Sequence, residues 1–142
     1  MRVVVDANIV AASLVRPNGW SARELRREDV EWFVPVYLFE EIAEHESDLA
    51  ERAGCAPAEF RGRVKRLHRL QVVAEADLLA ADRHPLVHQA RAVDPDDAVY
   101  LAAFVAVRAD RLWTRDQRIL ERFPGIATLV LPGPMEEPAS HK

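Results

Sequence analysis

Residues 94–120 have the sequence DPDDAVYLAAFVAVRADRLWTRDQRIL, and this stretch decides the fold. A proline at the first helical position follows Asp94, and residues 96–108 are apolar on nearly every side, which predicts a buried helix. Residues 111–114 then predict a short strand, and Asp116 begins another helix. A buried helix that leads directly into a short strand is typical of a parallel sheet covered by helices.

The rest of the chain repeats this alternation of strands and helices. Strands are predicted at residues 2–5, 31–34 and 127–131, with 71–74 as either a short strand or an extended link. Further helices are predicted at residues 7–15, 21–27, 35–52, 58–70, 77–93 with an interruption at Pro85, and 116–122. We therefore predict an α/β fold with a parallel central sheet of about four to five strands flanked by helices.

Length and composition predict a single domain. The chain has 142 residues, of which 49% are hydrophobic, and this suits one core. We expect the domain to span residues 1–132 and a flexible tail to follow at 133–142, because that segment is rich in proline and polar residues. The net charge of -4 argues against a uniformly basic surface, although it leaves room for a local basic patch.

The sequence also predicts a cytoplasmic protein that makes no membrane contact. Cys55 is the only cysteine, so an internal disulfide is impossible and a reducing compartment is expected. The apolar N-terminus is interrupted by Asp6 and Asn8. The longest apolar run, residues 98–107, is too short for a bilayer that requires about 20 residues.

Several acidic residues stand at the junctions between predicted strands and helices. They are Asp6, Asp94, Asp96, Asp97 and Asp116. The carboxyl ends of parallel strands meet at one edge of the sheet, so these side chains should form one acidic pocket. Crowded carboxylates resist ionisation unless a cation lies among them, which indicates raised pKa values or a bound hard metal ion. A capping role stays open, because aspartate is a favoured N-cap and three of these residues directly precede a helix.

Helical phase distinguishes between neighbouring acids. Asp97 lies on the same stripe as Leu101 and should point inward over the sheet, whereas Asp96 should face solvent. In the helix predicted at 35–52, the buried stripe consists of Leu38, Ile42, His45 and Leu49. Glu41 lies at the border of this stripe and Glu40 on the far side, so Glu41 is the better candidate for a buried functional acid.

Three segments together resemble the acidic motifs of the PIN-domain ribonucleases. They are VVVDANIV at residues 3–10, PVYLFEEIAEH at 35–45 and the stretch at 94–120. The resemblance extends over nearly the whole chain and includes the order and spacing of the motifs. It implies a Rossmann-like parallel sheet and a metal-dependent nuclease site. The residues that match the family's acidic quartet are Asp6, Glu41, Asp97 and Asp116.

The same resemblance implies roles for further residues. Asp94 falls where many relatives have an additional acid, while Asn8 and Thr114 match small polar residues that steady the site by hydrogen bonding. The acid that relatives often carry just beyond the Thr-x-Asp motif is replaced here by Gln117 and Arg118. The site could therefore hold one metal ion or two.

The resemblance also implies a reaction and its partners. Mg²⁺ or Mn²⁺ would suit the oxygen ligands, and the reaction would be hydrolysis of RNA phosphodiester bonds. The closest functional class is the VapC-like toxin of a type II toxin–antitoxin pair, with an antitoxin protein as a possible partner and a homodimer as a possible assembly. Two alternatives stay open: a stand-alone RNA-processing nuclease and a non-catalytic PIN-fold module that binds RNA.

Basic residues outside the acidic centre are candidates for contact with RNA. On the helix predicted at 58–70 they are Arg61, Arg63, Lys65, Arg66 and Arg69, together with His68, and near the last acidic motif they are Arg115 and Arg118. The alternative is a solvated helix face whose charges pair with neighbouring acids.

Other α/β proteins with acids at strand ends fit the sequence poorly. A receiver domain requires a lysine after a late strand, but lysine occurs only at positions 65 and 142. A haloacid-dehalogenase-like phosphatase requires Asp-x-Asp after the first strand, where Asn8 takes the second place. The first turn also has no glycine-rich nucleotide-binding motif. His84 and His88 have a zinc-like spacing, but a proline lies between them and no HExxH motif surrounds them.

Overall fold

A parallel five-stranded sheet forms the centre of the computed structural model, which describes residues 1–67 and 69–133. The strands are β1 (Arg2–Val5), β2 (Glu31–Pro35), β3 (Leu70–Val73), β4 (Arg111–Trp113) and β5 (Ala127–Thr128). Their order across the sheet is β3-β2-β1-β4-β5. This confirms the predicted α/β fold and places residues 71–73 in a strand rather than a link, while Ala74 lies just after that strand.

Within the described residues, nine helices flank the sheet. They are α1 (Ala7–Val15), α2 (Trp20–Glu24), α3 (Leu38–Glu44), α4 (Glu46–Ala53), α5 (Pro57–Lys65), α6 (Glu75–Ala80), α7 (Pro85–Arg91), α8 (Pro95–Ala106) and α9 (Gln117–Arg122). None of these helices is long and apolar enough to span a membrane.

Helices cover both faces of the sheet, and a separate hydrophobic core lies between the sheet and the helices on each face. On one face, Val3 and Val5 of β1 pack with Ile9 of α1 and Phe60 of α5. On the other, Val4 of β1 packs with residues of α6, α7, α8 and α9, among them the fully buried Leu101. The three consecutive valines of β1 are all completely buried because a doubly covered strand has no solvent face.

The prediction of one continuous helix at 35–52 is wrong in two respects. The helix begins at Leu38, and it is divided into α3 and α4 at His45, whose backbone (φ -107°, ψ 15°) is not helical. The break changes the phase of the buried stripe, so His45 is exposed instead of lying in the core. α4 then ends at Gly54, which has φ +71° and terminates the helix in the left-handed conformation that glycine favours.

Four other predicted boundaries differ from the structure. α2 begins at Trp20 after Gly19, so Ser21 lies inside the helix and is buried rather than capping it. α5 ends at Lys65, five residues earlier than predicted. The predicted interruption at Pro85 is confirmed, since α7 begins there, but α6 begins at Glu75 and ends at Ala80, and β5 has only two residues. Of the tail predicted at 133–142, residues 134–142 lie outside the described residues, and so does His68.

Candidate functional site

The strand register places the first and last acidic motifs side by side. Val5 of β1 pairs with Trp113 of β4, so Asp6 and Thr114 follow at the same carboxyl edge of the sheet. The Thr114 hydroxyl donates a hydrogen bond of 2.6 Å to Asp6 Oδ2. Asp6 is 8% exposed and Thr114 is completely buried. Two positions that are 108 residues apart in sequence therefore share one buried contact at the edge of the sheet.

Asn8 and Thr114 connect the two loops that carry these acids. Asn8 Nδ2 donates to Asp6 Oδ2 at 3.3 Å, and Asn8 Oδ1 accepts the backbone N–H of Arg115 at 3.2 Å. Thr114 Oγ1 accepts the backbone N–H of Asp116 at 2.9 Å. These contacts place both residues where they would hold Asp6 and Asp116 in position, as expected of supporting residues.

Three of the acids cap the helix that follows them. One carboxylate oxygen of each accepts a backbone N–H at the start of the next helix: Asp6 from Ala7 at 2.7 Å, Asp94 from Asp96 at 2.9 Å and Asp116 from Arg118 at 2.9 Å. In each case the capping oxygen is Oδ1, so the Oδ2 atom is not used by the cap. Asp6 and Asp116 each stand between a strand and the helix that follows it, whereas Asp94 stands between α7 and α8.

Glu41 points towards this pocket and Glu40 does not. Glu41 is half-buried and accepts a hydrogen bond of 2.9 Å from the Tyr100 hydroxyl, whereas Glu40 is exposed. Tyr100 is itself buried on α8, one turn after Asp97. The helical phase of α3 therefore predicted the orientation of Glu41 correctly. It did not predict Tyr100, although the spacing of three residues from Asp97 is a signal that could have identified it.

The acids influence one another electrostatically. Burial raises the pKa of Asp6 to about 6, against hydrogen bonds from Thr114 and Ala7 that lower it, and the charges of Glu41 and Asp116 raise it further. Burial likewise raises the pKa of Asp97 to about 6, with additional repulsion from the other acids. A pKa raised by burial and like charges means that the pocket favours either a proton or a cation.

Glu41 belongs to the same electrostatic group. Burial raises its pKa, the hydrogen bond from Tyr100 opposes this rise, and the charge of Asp96 adds to it. Asp96 is exposed, as its helical position predicted, but its charge still acts on Glu41. Burial also raises the pKa of the Tyr100 phenol, so this hydroxyl stays protonated and remains a hydrogen-bond donor.

One positive side chain lies among these acids. The Arg118 guanidinium is 3.4 Å from Asp94 Oδ2 and 3.7 Å from Asp116 Oδ2, and its side chain is 62% exposed. The charges of Asp116 and Asp97 raise the pKa of Arg118, so it remains a cation. Arg118 thus partly neutralises the negative charge of the pocket.

The donor atoms of the pocket suit a hard divalent cation. Every candidate ligand is a carboxylate oxygen, which is the donor type that Mg²⁺ and Mn²⁺ prefer. Among residues 1–67 and 69–133, no three His, Cys, Asp or Glu side chains form a compact metal-binding cluster. Mg²⁺ is usually held by one or two carboxylates and keeps several waters, so the arrangement fits such an ion by donor chemistry and charge.

The basic residues fall into two groups at opposite edges of the sheet. Arg115 and Arg118 lie at the carboxyl edge, beside the acids. The residues of α5 and the loop after it lie near the C-terminal end of α1 and the amino end of β3, which is the other edge. There Arg63 donates to the Leu14 carbonyl at 2.8 Å and Arg69 to the Arg26 carbonyl at 2.6 Å.

The other members of the α5 group have similar surroundings. Arg61 forms an ion pair of 2.7 Å with Glu46, while Lys65 and Arg66 are exposed. A cavity of about 400 Å³ lies at this edge, and Arg66 and Arg69 contribute to its lining. None of the acidic quartet lines it. Arg63, at the C-terminal end of α1, is therefore separated from Asp6 by the length of that helix, about 13 Å for nine residues.

The fold and the acidic pocket define the class of protein: a doubly covered parallel α/β domain with carboxylates gathered at the carboxyl ends of β1 and β4. The sequence model of the family described as PIN domain matches residues 4–131. The chain therefore belongs to the PIN-domain family, whose members are generally nucleases.

A solved structure has the same fold. One chain of the crystal structure of VapBC2 from Rickettsia felis, bound to a DNA fragment from their promoter, aligns with a TM-score of 0.63 and 14% sequence identity. The alignment covers 90% of this chain and 98% of that chain. At this identity the similarity concerns the fold alone. No curated protein matches the sequence significantly.

Proposed function

We propose that the protein is a metal-dependent endoribonuclease in which Asp6, Glu41, Asp97 and Asp116 hold Mg²⁺ or Mn²⁺. The observation that supports this most directly is the mutual repulsion of four acids from separate parts of the chain, with the buried Asp6 among them. Retaining a buried carboxylate with a pKa of about 6 is costly for the folded chain unless a cation offsets the charge. Asp94 is an additional candidate ligand because its Oδ2 faces the same pocket.

The chain's own groups suggest how the reaction proceeds. A bound divalent ion would lower the pKa of water and neutralise charge on the phosphate. Asp97 is more exposed than Asp6 and has a pKa of about 6, so its carboxylate is suited to accept a proton from attacking water. Thr114 and Asn8 hold Asp6 in one orientation, and Tyr100 does the same for Glu41. The expected products carry a 5′-phosphate and a 3′-hydroxyl.

Arg115 and Arg118 are the substrate contacts that we favour. Both side chains are exposed. The Arg118 guanidinium lies beside the acids, where it can bind a phosphate oxygen, whereas the Arg115 guanidinium donates to Ser21 Oγ at 3.1 Å and would have to leave that contact to bind one. Contact between RNA and Arg61, Arg63, Lys65, Arg66 or Arg69 would require a substrate that also reaches the opposite edge of the sheet. We therefore expect a short single-stranded RNA to contact Arg115 and Arg118 but not the basic residues of α5.

A role as the toxin of a type II toxin–antitoxin pair is supported by the similar fold of a chain in the VapBC2 structure. An antitoxin protein would then be the partner, and a homodimer a possible assembly. A stand-alone RNA-processing nuclease is the second candidate. A short reading frame directly upstream that encodes a protein able to bind and inhibit this one would favour the toxin.

The nuclease proposal is tested by replacing candidate metal ligands and, as a control, a neighbouring acid that faces solvent. Glu41→Gln and Asp97→Asn should each reduce Mn²⁺-dependent cleavage of single-stranded RNA about 100-fold or more, the loss typical for one electrostatic group of a catalytic site. Glu40→Gln removes the same charge one residue away on the exposed side of α3 and should cleave like the parent. Equal rates for Glu41→Gln and Glu40→Gln, or cleavage by the parent that persists in EDTA, would contradict the proposal.

A further inference from the structure

A second cavity, of about 260 Å³, opens directly beside the acidic pocket. It lies between α1 and the α3–α4 junction, and Asn8 and Glu41 belong to its lining as well as to the acidic site. A molecule bound in this cavity would therefore be in contact with the groups that surround the reacting phosphate. This inference rests on the proposed nuclease function and concerns which nucleotide the site accepts.

The floor of this cavity is apolar. It is formed by two small residues of α1, Ala7 and Ala11, and by two buried aliphatic residues, Ile42 of α3 and Leu49 of α4. The alanines leave a shallow, flat surface where longer side chains would fill the space. Such a floor suits the apolar face of a planar ring.

The rim carries hydrogen-bonding groups that follow one face of α4. His45, Asp48 and Arg52 are spaced by three and four residues, so they stand one above another along the opening. Asp48 and Arg52 could be expected to form an ion pair at this spacing. Within the described part of the chain they form none, so the carboxylate and the guanidinium both keep hydrogen-bonding capacity for a ligand.

The charge of the cavity argues against a phosphate inside it. Glu41 and Asp48 contribute two carboxylates, and Arg52 contributes one guanidinium. A neutral ligand with hydrogen-bond donors is favoured over an anion in these surroundings. The volume of about 260 Å³ is slightly below the range of about 300 to 1,000 Å³ found for drug-sized ligands, which suits a single ring system.

We propose that this cavity binds the base next to the scissile phosphate and selects guanine. Guanine has two adjacent donors on its Watson–Crick edge, N1–H and the N2 amino group, which match the two oxygens of the Asp48 carboxylate. Its O6 and N7 acceptors match the donors of Arg52. The base lies flat on the floor formed by the alanines and aliphatic residues of α1, α3 and α4. Single-stranded RNA can present such an unstacked base.

The test maps every cut made by the full-length protein in a single-stranded RNA of random sequence with Mn²⁺. Guanosine should be enriched at one position adjacent to the cut. Replacing that guanosine by inosine, which lacks the N2 amino group, should reduce kcat/KM about 5- to 100-fold, the range for a lost base-specific contact. Asp48→Asn should remove most of the preference for guanosine over inosine while cleavage continues.

Glu51→Gln is the matched control, because Glu51 is an exposed acid on α4 outside the cavity. It should keep the guanosine preference. Cleavage without enrichment of guanosine, or an Asp48→Asn variant that cuts with the parent's preference, would overturn the cavity assignment and leave the nuclease intact. Absence of any metal-dependent cleavage by the parent would overturn both.

A binding measurement that does not depend on cleavage adds a second test. The Asp97→Asn variant, which should not cut and leaves the lining of the cavity intact, is titrated with a fluorescent RNA containing either guanosine or inosine at the selected position. Tighter binding of the guanosine RNA, lost when Asp48→Asn is added, is the expected result. Equal affinities for the two RNAs would contradict the assignment.

Discussion

Asp6→Asn should stabilise the metal-free protein at pH 8. The pKa of Asp6 is about 6, compared with 3.8 for an ordinary aspartate. Each pKa unit corresponds to about 1.36 kcal/mol, so the ionised carboxylate destabilises the folded state by about 3 kcal/mol at a pH well above 6. Asparagine avoids this cost and can still cap α1. It loses the two hydrogen bonds that Thr114 and Asn8 donate to Oδ2, each worth about 1 kcal/mol, so the net gain should be about 1 kcal/mol.

The effect should depend on pH in a defined direction. Because the pKa of Asp6 is raised in the folded state, its favourable contribution is present below pH 3.8 and is lost as the pH rises through 6. At pH 4 the carboxyl is almost fully protonated in the folded protein, so Asp6→Asn should then be about 2 kcal/mol less stable than the parent, since only the two lost hydrogen bonds remain. Urea unfolding in EDTA at pH 4, 6 and 8 measures both differences.

Adding metal should reverse the order of stability. A ligand at 100 times its Kd stabilises the form that binds it by about 2.7 kcal/mol, and this gain would go to the parent alone if Asp6 is a ligand. Glu51→Gln controls for the loss of one exposed carboxylate. A variant less stable than the parent at pH 8 without metal, or a difference that is the same at pH 4 and 8, would refute the electrostatic reasoning.

Two other variants test the surroundings of the acids. Tyr100→Phe removes the hydrogen bond to Glu41, so the pKa of Glu41 should rise further. The affinity for Mn²⁺, measured by calorimetry, should fall about 10- to 100-fold, as for other residues that orient metal ligands. An unchanged affinity would contradict this role. Arg118→Gln removes a positive charge that lowers the pKa of Asp97. In metal-free protein this pKa, followed by NMR titration, should therefore rise above about 6. Arg122→Gln, one turn further along α9, should leave the pKa of Asp97 unchanged.

Local patterns in the sequence predicted most elements of the fold. The valines of β1 form an apolar run because the strand is buried on both faces, and the predicted strands at 2–5 and 111–114 agree closely with β1 and β4. Helical phase also distinguished Glu41 from Glu40, since α3 is regular through those positions. These successes depend on periodicity within a single element, which neighbouring residues determine.

The failures occur where contacts between elements decide the structure. Continuation of one helix through His45 is compatible with its local sequence, but α4 packs against α1 and α5 and takes a different direction from α3. The charge pattern of α5 makes its basic residues candidates for contact with RNA, and this stays a prediction. Where they lie relative to the acids depends on how α5 packs, which no local pattern encodes.

The sequence by itself determined that this protein is an α/β domain of the PIN family with acids at its strand-to-helix junctions. Only the tertiary structure decided that Thr114 donates to Asp6, that Tyr100 donates to Glu41 and that Arg118 lies among the carboxylates. The physical reason is that periodicity and capping are local, whereas burial and charge interactions depend on residues that are far apart in the chain. Sheet order and register bring those residues together, and they also set the raised pKa values of the acidic pocket.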